Sequence, residues 1–494
     1  MADHYDIIII GGGPGGYTAA LKAASLGFRT AIVEKEKLGG TCVNKGCIPT
    51  KSLLYAASKF KELQNCDEFG VSTDFISFDF KKMQQYKKSS VKSYRKGITD
   101  LIEEENITVL TGTGIIRRNK TVEVHSAQGK DYYTGDYLII ATGAKCVIPP
   151  IPGADLPGVL TSERLLASDN WNYDRLLVIG GGVIGVEFAT IFSALCSHVT
   201  ILEREDHLLG PMDTEVSQAL EEELKQRGIT IHCQVNVKEI KEDTDHGLSC
   251  VFEMGGQEHT IQTGHILIAA GRQPFLEGLL GEDVSLELEN GHLKVNSEFQ
   301  TSEPGIYAIG DAASDILLAH VAAAQGTYVV EKIAGVEHTI RLSVVPNGMF
   351  VKLPVVPSCI YTEPEIASVG ITREAAVANN MHVCCGHYSM SGNGKSIITS
   401  RQNGFIHLVF EEFSGTLVGA QIVCPRATDM ISEMATAIAN GLTAKQLRLA
   451  MRAHPTYSEG ITAAIENYFE TKGEQGNDER ETGTVKKPDG RAPY

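Results

Sequence analysis

Positive charge is scarce in this chain. Its 494 residues carry 44 Lys and Arg against 61 Asp and Glu, a net of −17. A nucleic-acid protein needs a basic face to displace counterions, so this balance argues against that class. It argues equally against an anionic membrane surface as partner. Long apolar runs are missing too, and none approaches the ~18 residues of a membrane span. The run nearest the start, Ile7 to Ile10, is too short for a secretion signal, and Asp3 and Asp6 stand where such a signal is positive. A soluble, cytoplasmic protein is expected, with no nucleic-acid or membrane partner. At about 150 residues per domain the length suggests about three domains.

The eleven cysteines are an odd number in a chain without an export signal. In a reducing compartment most are expected free and buried as small hydrophobes. Nine fit that reading: Cys66, Cys146, Cys196, Cys233, Cys250, Cys359, Cys384, Cys385 and Cys424. The neighbours Cys384 and Cys385 read as two strand residues facing opposite sides rather than a soft-metal site, because side chains alternate along a strand. Cys42 and Cys47 stand apart.

What is abundant is glycine, 50 of 494, about one in ten against a usual ~7%. Much of it is organised. The apolar run Tyr5 to Ile10 feeds Gly11-Gly12-Gly13-Pro14-Gly15-Gly16, an alanine-rich stretch follows to Leu26, and a second run, Thr30 to Val33, ends in Glu34. This is strand, glycine turn, helix, strand, acid. Gly11, Gly13 and Gly16 suit a tight turn, close approach of a pyrophosphate and close helix–strand packing, with the helix N-terminus facing the phosphates. Glu34, 23 residues after Gly11, is placed to accept from a ribose hydroxyl. The unit recurs. Arg175 to Ile179 leads into Gly180-Gly181-Gly182-Val183-Ile184-Gly185, and Val199 to Leu202 ends in Glu203, again 23 residues after the first glycine. Each unit has a later echo, Leu138 to Gly143 with Thr142 before its last glycine, and Ile266 to Arg272 with Gly271. Two dinucleotide-binding domains related by internal repetition are expected, one for a flavin nucleotide and one for a nicotinamide. Glu203 favours NAD over NADP, because a carboxylate bonds a 2′-hydroxyl and repels a 2′-phosphate; the neighbouring Arg204 works against that preference.

Residues 52–110 read as mostly helical, 111–137 as short strands and turns, and 276–350 as strand and loop, including Ile306 to Asp311. From about Pro354 to Phe469 strands alternate with helices, and the polar stretch 471–494 reads as a disordered tail. The expected fold is α/β, with two Rossmann-like dinucleotide-binding domains and an α+β C-terminal dimerisation domain. The expected boundaries are 1–150 for the first dinucleotide domain, 151–275 for the second, 276–350 completing the first, 351–470 for the interface domain and 471–494 for the tail.

After Glu34 comes Gly39-Gly40-Thr41-Cys42-Val43-Asn44-Lys45-Gly46-Cys47-Ile48-Pro49-Thr50-Lys51. Two cysteines five apart at a helix start can close a small disulfide ring, and the helix N-terminus and a nearby Lys favour thiolate. A metal half-site or two inert thiols are the other readings; no second Cys/His pair at ligand spacing supports the former.

This segment closely resembles the active-site segment of the flavin-dependent pyridine-nucleotide disulfide oxidoreductases, and the resemblance runs over about residues 4–468. Within that family it points to the members that oxidise dihydrolipoamide with NAD+, on Glu203, on Tyr361 to Gly370 and on Ala453-His454-Pro455-Thr456-Tyr457-Ser458-Glu459. The resemblance implies FAD on Gly11, Gly13, Gly16, Glu34, Thr41, Gly114, Thr142, Gly143, Asp311 and Ala319, and NAD on Gly180, Gly182, Gly185, Glu203 and Gly271. It implies Cys42 as the thiol that exchanges with substrate and Cys47 as the thiol against the flavin. Lys51 would reach the flavin and pair with Glu187. His454 would be the general base, supplied across a homodimer interface and oriented by Glu459. The implied partner is a lipoyl-domain substrate, in a 2-oxoacid dehydrogenase or glycine cleavage complex; the chain starts almost at its first strand, and no fused lipoyl domain is expected before it. Another NAD(P)H-dependent disulfide or mercuric-ion reductase is the alternative, and a non-catalytic redox sensor a more remote one. The absence of cysteine after Cys424 counts against a mercuric reductase. Three stretches depart from the family pattern. Residues 336–353 are long and suggest an extra hairpin, alanines fill Leu318 to Gly326, and Arg452 stands where a second His often precedes the base.

Overall fold

A computed structural model describes residues 3–169, 173–243, 245, 247–339, 343–344, 351–352 and 355–478. The chain divides into two compact units, residues 1–210 with 224–354, and residues 211–223 with 355–494.

The first unit contains both glycine-turn repeats. Asp3–Ile10 is a strand of isoleucines buried on both faces, as a parallel strand flanked by helices must be. It pairs in parallel with Thr30–Glu34 on one side and Gly129–Ile140 on the other. The sheet continues to Thr108–Thr111 at one edge and through the antiparallel strands Thr121–Ser126 and Thr113–Arg117 at the other, while Ile306–Ala308 pairs in parallel with Gly129–Ile140. The second repeat builds a five-stranded parallel sheet in the order Thr230–His232, His198–Leu202, Arg175–Ile179, His265–Ile268, Val159–Thr161. A three-stranded antiparallel sheet, residues 236–263, packs its Leu248, Cys250 and Phe252 into the same core. Strand Ala144–Cys146 pairs with Arg272–Pro274, joining the two turn echoes.

The second unit is a five-stranded antiparallel sheet, Ser358–Ile360, Ile366–Gly370, Leu417–Val423, Phe405–Glu411 and Val383–Ser389. Helices Ala427–Ala439 and Glu459–Asp478 bury Met434, Ile461, Ile465 and Tyr468 against it.

Three readings change. Residues 319–334, expected as strand and loop, form a helix. It lies so close to helix Pro14–Ser25 that a Cβ at Gly326 would stand 2.7 Å from the Gly15 carbonyl oxygen, so alanine and glycine there serve close helix approach. The polar tail begins as helix, because Glu459–Asp478 extends through residue 478; residues 479–494 lie outside the described residues. The nine spare cysteines are not uniformly buried. Only Cys250, Cys384 and Cys424 are, and Cys196 is exposed at a helix end. Cys384 does face the core while Cys385 lies on the opposite, partly open side, and no described group of residues has metal-binding geometry. In the 336–353 segment, Ser343–Val344 and Val351–Lys352 pair as a short antiparallel ladder; residues 340–342, 345–350 and 353–354 lie outside the described residues. Among the described residues, no helix is long and apolar enough to cross a membrane.

Candidate active site

The first cradle is built by the Gly11 turn. Gly11 has φ +111°, and a Cβ there would stand 2.3 Å from the Ala141 carbonyl oxygen. A Cβ at Gly16 would stand 1.8 Å from the Gly11 oxygen, so strand, turn and helix close only without side chains. Gly13 caps helix Pro14–Ser25 with its first-turn N–H groups open, the arrangement that holds phosphate. The Glu34 carboxylate accepts from Gly12 N (2.8 Å) and Glu36 N (2.7 Å), which fixes it at the end of its strand. Gly114 packs under Val33 and Ile10, Gly143 takes φ +71° and Ala319 opens the helix 319–334. The Thr142 hydroxyl is buried with no partner among the described residues, an acceptor-donor group left for a ligand. Burial pushes the Asp311 carboxyl above the ordinary range, with Arg272 opposing the shift. These features fit FAD.

The second cradle repeats the first. Gly180 has φ +110°, a Cβ at Gly185 would stand 1.9 Å from the Gly180 oxygen, and Gly182 is open. Glu203 accepts from Gly181 N and from Glu205 N, the latter at 2.8 Å. Arg204 pairs with Glu205 at 2.9 Å on the surface. Gly271, at φ +111°, has open space around it. The set fits NAD.

The thiols lie between these cradles in sequence, and their short helix sits on the first, where a Cβ at Gly40 would stand 2.6 Å from Gly13 Cα. Thr41 and Cys42 lie on the short helix Gly40–Lys45, and Cys47 is the first residue of helix Cys47–Gln64. Both thiols are free. They are not equivalent. The Cys42 S–H donates to Cys47, burial works against the charge, and Lys51 favours it; together they bring Cys47 down to about 7. The same bond, with burial, pushes the Cys42 thiol far up. By contrast, burial holds Cys250 up at about 12, and burial with the nearby Glu365 carboxylate holds Cys424 there too, where a thiol is inert. Lys51 is one helical turn past Cys47 and donates to both oxygens of Glu187, at 2.8 and 2.7 Å. Glu187 is buried on helix Val183–Ala194 of the second repeat, so this ion pair ties the thiol helix to the nicotinamide domain.

Sequence reasoning passed over what holds the thiol loop. Asn44 donates to the carbonyls of Leu38 and Gly40, both at 3.0 Å, and accepts from Arg95 at 2.9 Å. Its place inside the quoted thiol segment was the available signal. It also passed over Gln325, which accepts from Gly310 N at 2.7 Å beside Asp311.

In the second unit His454 Nδ1 lies 2.8 Å from Glu459 Oε1, and Thr456 N donates to Glu459 Oε2 at 2.8 Å. Burial tends to raise the Glu459 carboxyl, but these two partners outweigh it and hold it low. The ion holds the imidazole so that Nε2, on its exposed side, is the ring nitrogen left to exchange protons. His198 opens a strand at the surface, and the His232 ring lies tilted beside Phe252 while its carbonyl accepts from Glu203 N at 2.8 Å.

Comparison with known proteins agrees with this geometry. A family described as pyridine nucleotide-disulphide oxidoreductase matches residues 5–326, and its dimerisation domain matches 356–465. A dihydrolipoyl dehydrogenase of Bacillus subtilis (strain 168) is 37% identical over 94% of this chain and 98% of its own. Another, from Chlorobaculum tepidum, is 35% identical over 96% and 99%. Among solved structures, LpdA from Mycobacterium tuberculosis has a TM-score of 0.84 at 27% identity, and the Cu(II) complex of the HOCl-induced flavoprotein disulfide reductase RclA from Escherichia coli has 0.81 at 26%. Each covers 94% of this chain and 99% of its own. The chain belongs to the pyridine nucleotide-disulphide oxidoreductases. Its cofactors are FAD and NAD, and its C-terminal domain is the one through which the family dimerises.

Proposed function

We propose that this enzyme oxidises dihydrolipoamide and reduces NAD+. The observation that carries the chemistry is the unequal thiol pair, one thiolate and one thiol, beside a flavin cradle. The likeness over nearly the full chain to proteins named dihydrolipoyl dehydrogenase supports the substrate.

His454, oriented by Glu459, takes a proton from one thiol of the substrate. The resulting thiolate attacks Cys42 of the oxidised Cys42–Cys47 pair, forming a mixed disulfide and releasing Cys47 as thiolate. The second substrate thiol then displaces Cys42, closing the substrate disulfide. Two electrons have moved to the protein, which is left as Cys42 thiol and Cys47 thiolate, the charge state the geometry favours. Lys51 holds that thiolate, and Glu187 holds Lys51. FAD, when bound, supplies the two-electron relay from this dithiol to NAD+. Glu203 selects the nucleotide by its ribose. In a cell the substrate arm belongs to the lipoyl domain of a 2-oxoacid dehydrogenase or glycine cleavage complex, and the working form is a homodimer in the cytoplasm.

A second reading has its own support in the likeness to RclA: a reductase of another disulfide or of a metal ion. The test is to measure NAD+ reduction by dihydrolipoamide beside NADH and NADPH oxidation with lipoamide, glutathione disulfide, Hg(II) and Cu(II). Dihydrolipoamide with NAD+ is expected to be fastest. Absence of that reaction beside fast turnover of another acceptor would overturn the proposal.

A further inference from the structure

The loop that carries His454, residues 449–458, is neither helix nor strand, so side chains must hold it. Downstream it is well tied. Thr456 N reaches Glu459, Asn393 Nδ2 donates to the Thr456 carbonyl at 3.0 Å, and the Tyr457 hydroxyl meets Thr399 Oγ1 at 2.8 Å. Upstream, Leu449 and Met451 are 84% and 98% exposed and hold nothing. Arg452 between them and the base is the exception, with a side chain only 5% exposed. Its Nη2 donates to Glu433 Oε1 at 2.5 Å, and its Nη1 to Thr462 Oγ1 at 2.9 Å. Glu433 belongs to helix Ala427–Ala439 and Thr462 to helix Glu459–Asp478. The guanidinium therefore spans two helices from a position two residues before His454.

We propose that Arg452, clamped by Glu433, is a positioning residue for the general base. The proposal rests on the reading of His454 as that base. Arg suits the task because its planar fork offers five N–H donors in fixed directions. A histidine, frequent at this position in the resembling family, offers two ring nitrogens. Nearby ion pairs do not involve the clamp: Arg448 pairs with Glu466, Arg426 with Asp429 and Glu459 with His454. A cavity of about 640 Å³ lined by Glu433, Pro455 and Thr456 adjoins the loop, so an unclamped loop has room to shift. A shift there moves the imidazole out of line with Glu459, whose carboxylate fixes the ring's orientation.

The experiment uses the FAD-loaded enzyme and compares Arg452→Met, Arg452→Lys, Glu433→Gln and His454→Gln. Two rates are read: dihydrolipoamide oxidation across pH, and NADH oxidation by ferricyanide, which needs no thiol base. Arg452→Met is expected to lower kcat/KM for dihydrolipoamide on the order of 10- to 100-fold. Its ferricyanide rate stays at the wild-type level. Arg452→Lys recovers part of the loss, and Glu433→Gln, which leaves the loop its own side chains, changes in the same direction by less. An Arg452→Met enzyme with an unchanged dithiol rate overturns the proposal. So does a parallel fall in both rates, which marks a general loss of structure. Wild-type dithiol turnover by His454→Gln would overturn the base assignment itself, and the clamp's role with it.

Discussion

Gly13 and Gly182 cap their helices with the same backbone, φ −74° and ψ −175° in one, φ −74° and ψ −176° in the other. Gly11 and Gly180 match equally, at φ +111° and +110°. The likeness continues past the acids. Leu38 and Leu208 would each meet a Cβ placed on the middle glycine of its turn, and Gly39 N and Leu209 N each donate back to that glycine's carbonyl, at 2.7 and 3.1 Å. There the repeats part. In the first, Gly39 is followed by Gly40, with φ +57° and an imagined Cβ only 2.6 Å from Gly13 Cα. This contact seats the thiol helix directly on the phosphate turn. In the second, Leu209 is followed by Gly210, which has open space around it, and the chain leaves for the other unit. The thiol pair thus follows the second strand of one copy alone. The other copy contributed a single buried carboxylate, Glu187.

The sharpest way to break this comparison is to treat the paired glycines alike. Gly40→Val forces a branched side chain into left-handed backbone and into the Gly13 turn. Loss of bound FAD and at least a 100-fold fall in dithiol turnover are expected, whereas Gly210→Ala should change stability by no more than about 0.5 kcal/mol. Comparable losses in both, read by flavin absorbance and turnover, would show that the seat of the thiol helix is not what distinguishes the copies.

A middle-sized effect tests the bridge between them. Lys51→Met removes the cation paired with the buried Glu187 carboxylate, at a cost of about 3 kcal/mol in urea unfolding. It also removes a cation from Cys47. The thiolate, and with it the long-wavelength absorbance of the two-electron-reduced enzyme, appears as pH rises through about 7. That midpoint should move up in Lys51→Met. An unmoved midpoint would detach Lys51 from the thiol.

The smallest effect concerns nucleotide choice. Glu203→Gln should weaken NAD relative to NADP by about tenfold, roughly one charge-assisted hydrogen bond. Equal ratios in wild type and variant, measured as kcat/KM for the two nucleotides, would take Glu203 out of the selection.

Much of the site was legible because it is local. The turns, the acids 23 residues on and the thiol pair lie within short stretches whose geometry follows from residue type. The link from Lys51 to Glu187 spans 136 residues; only the family resemblance suggested it, since nothing in either stretch names the other. Helix 319–334 was misread because its alanines carry no amphipathic stripe; they serve close contact with another helix. Asn44 held by Arg95, and Arg452 held by Glu433, went unseen because a polar residue's partner is a matter of folding.

By itself, then, the sequence determined the two glycine cradles, the acid that ends each second strand and the place of the thiol pair between them. These depend on backbone freedom and charge over a few residues. Only the tertiary structure decided which thiol carries the charge. That asymmetry needs Cys42 turned to donate to Cys47 and Lys51 placed beside it, with Glu187 brought from a distant helix to hold the lysine. Such electrostatics are set by distances of a few ångströms, which sequence order does not contain.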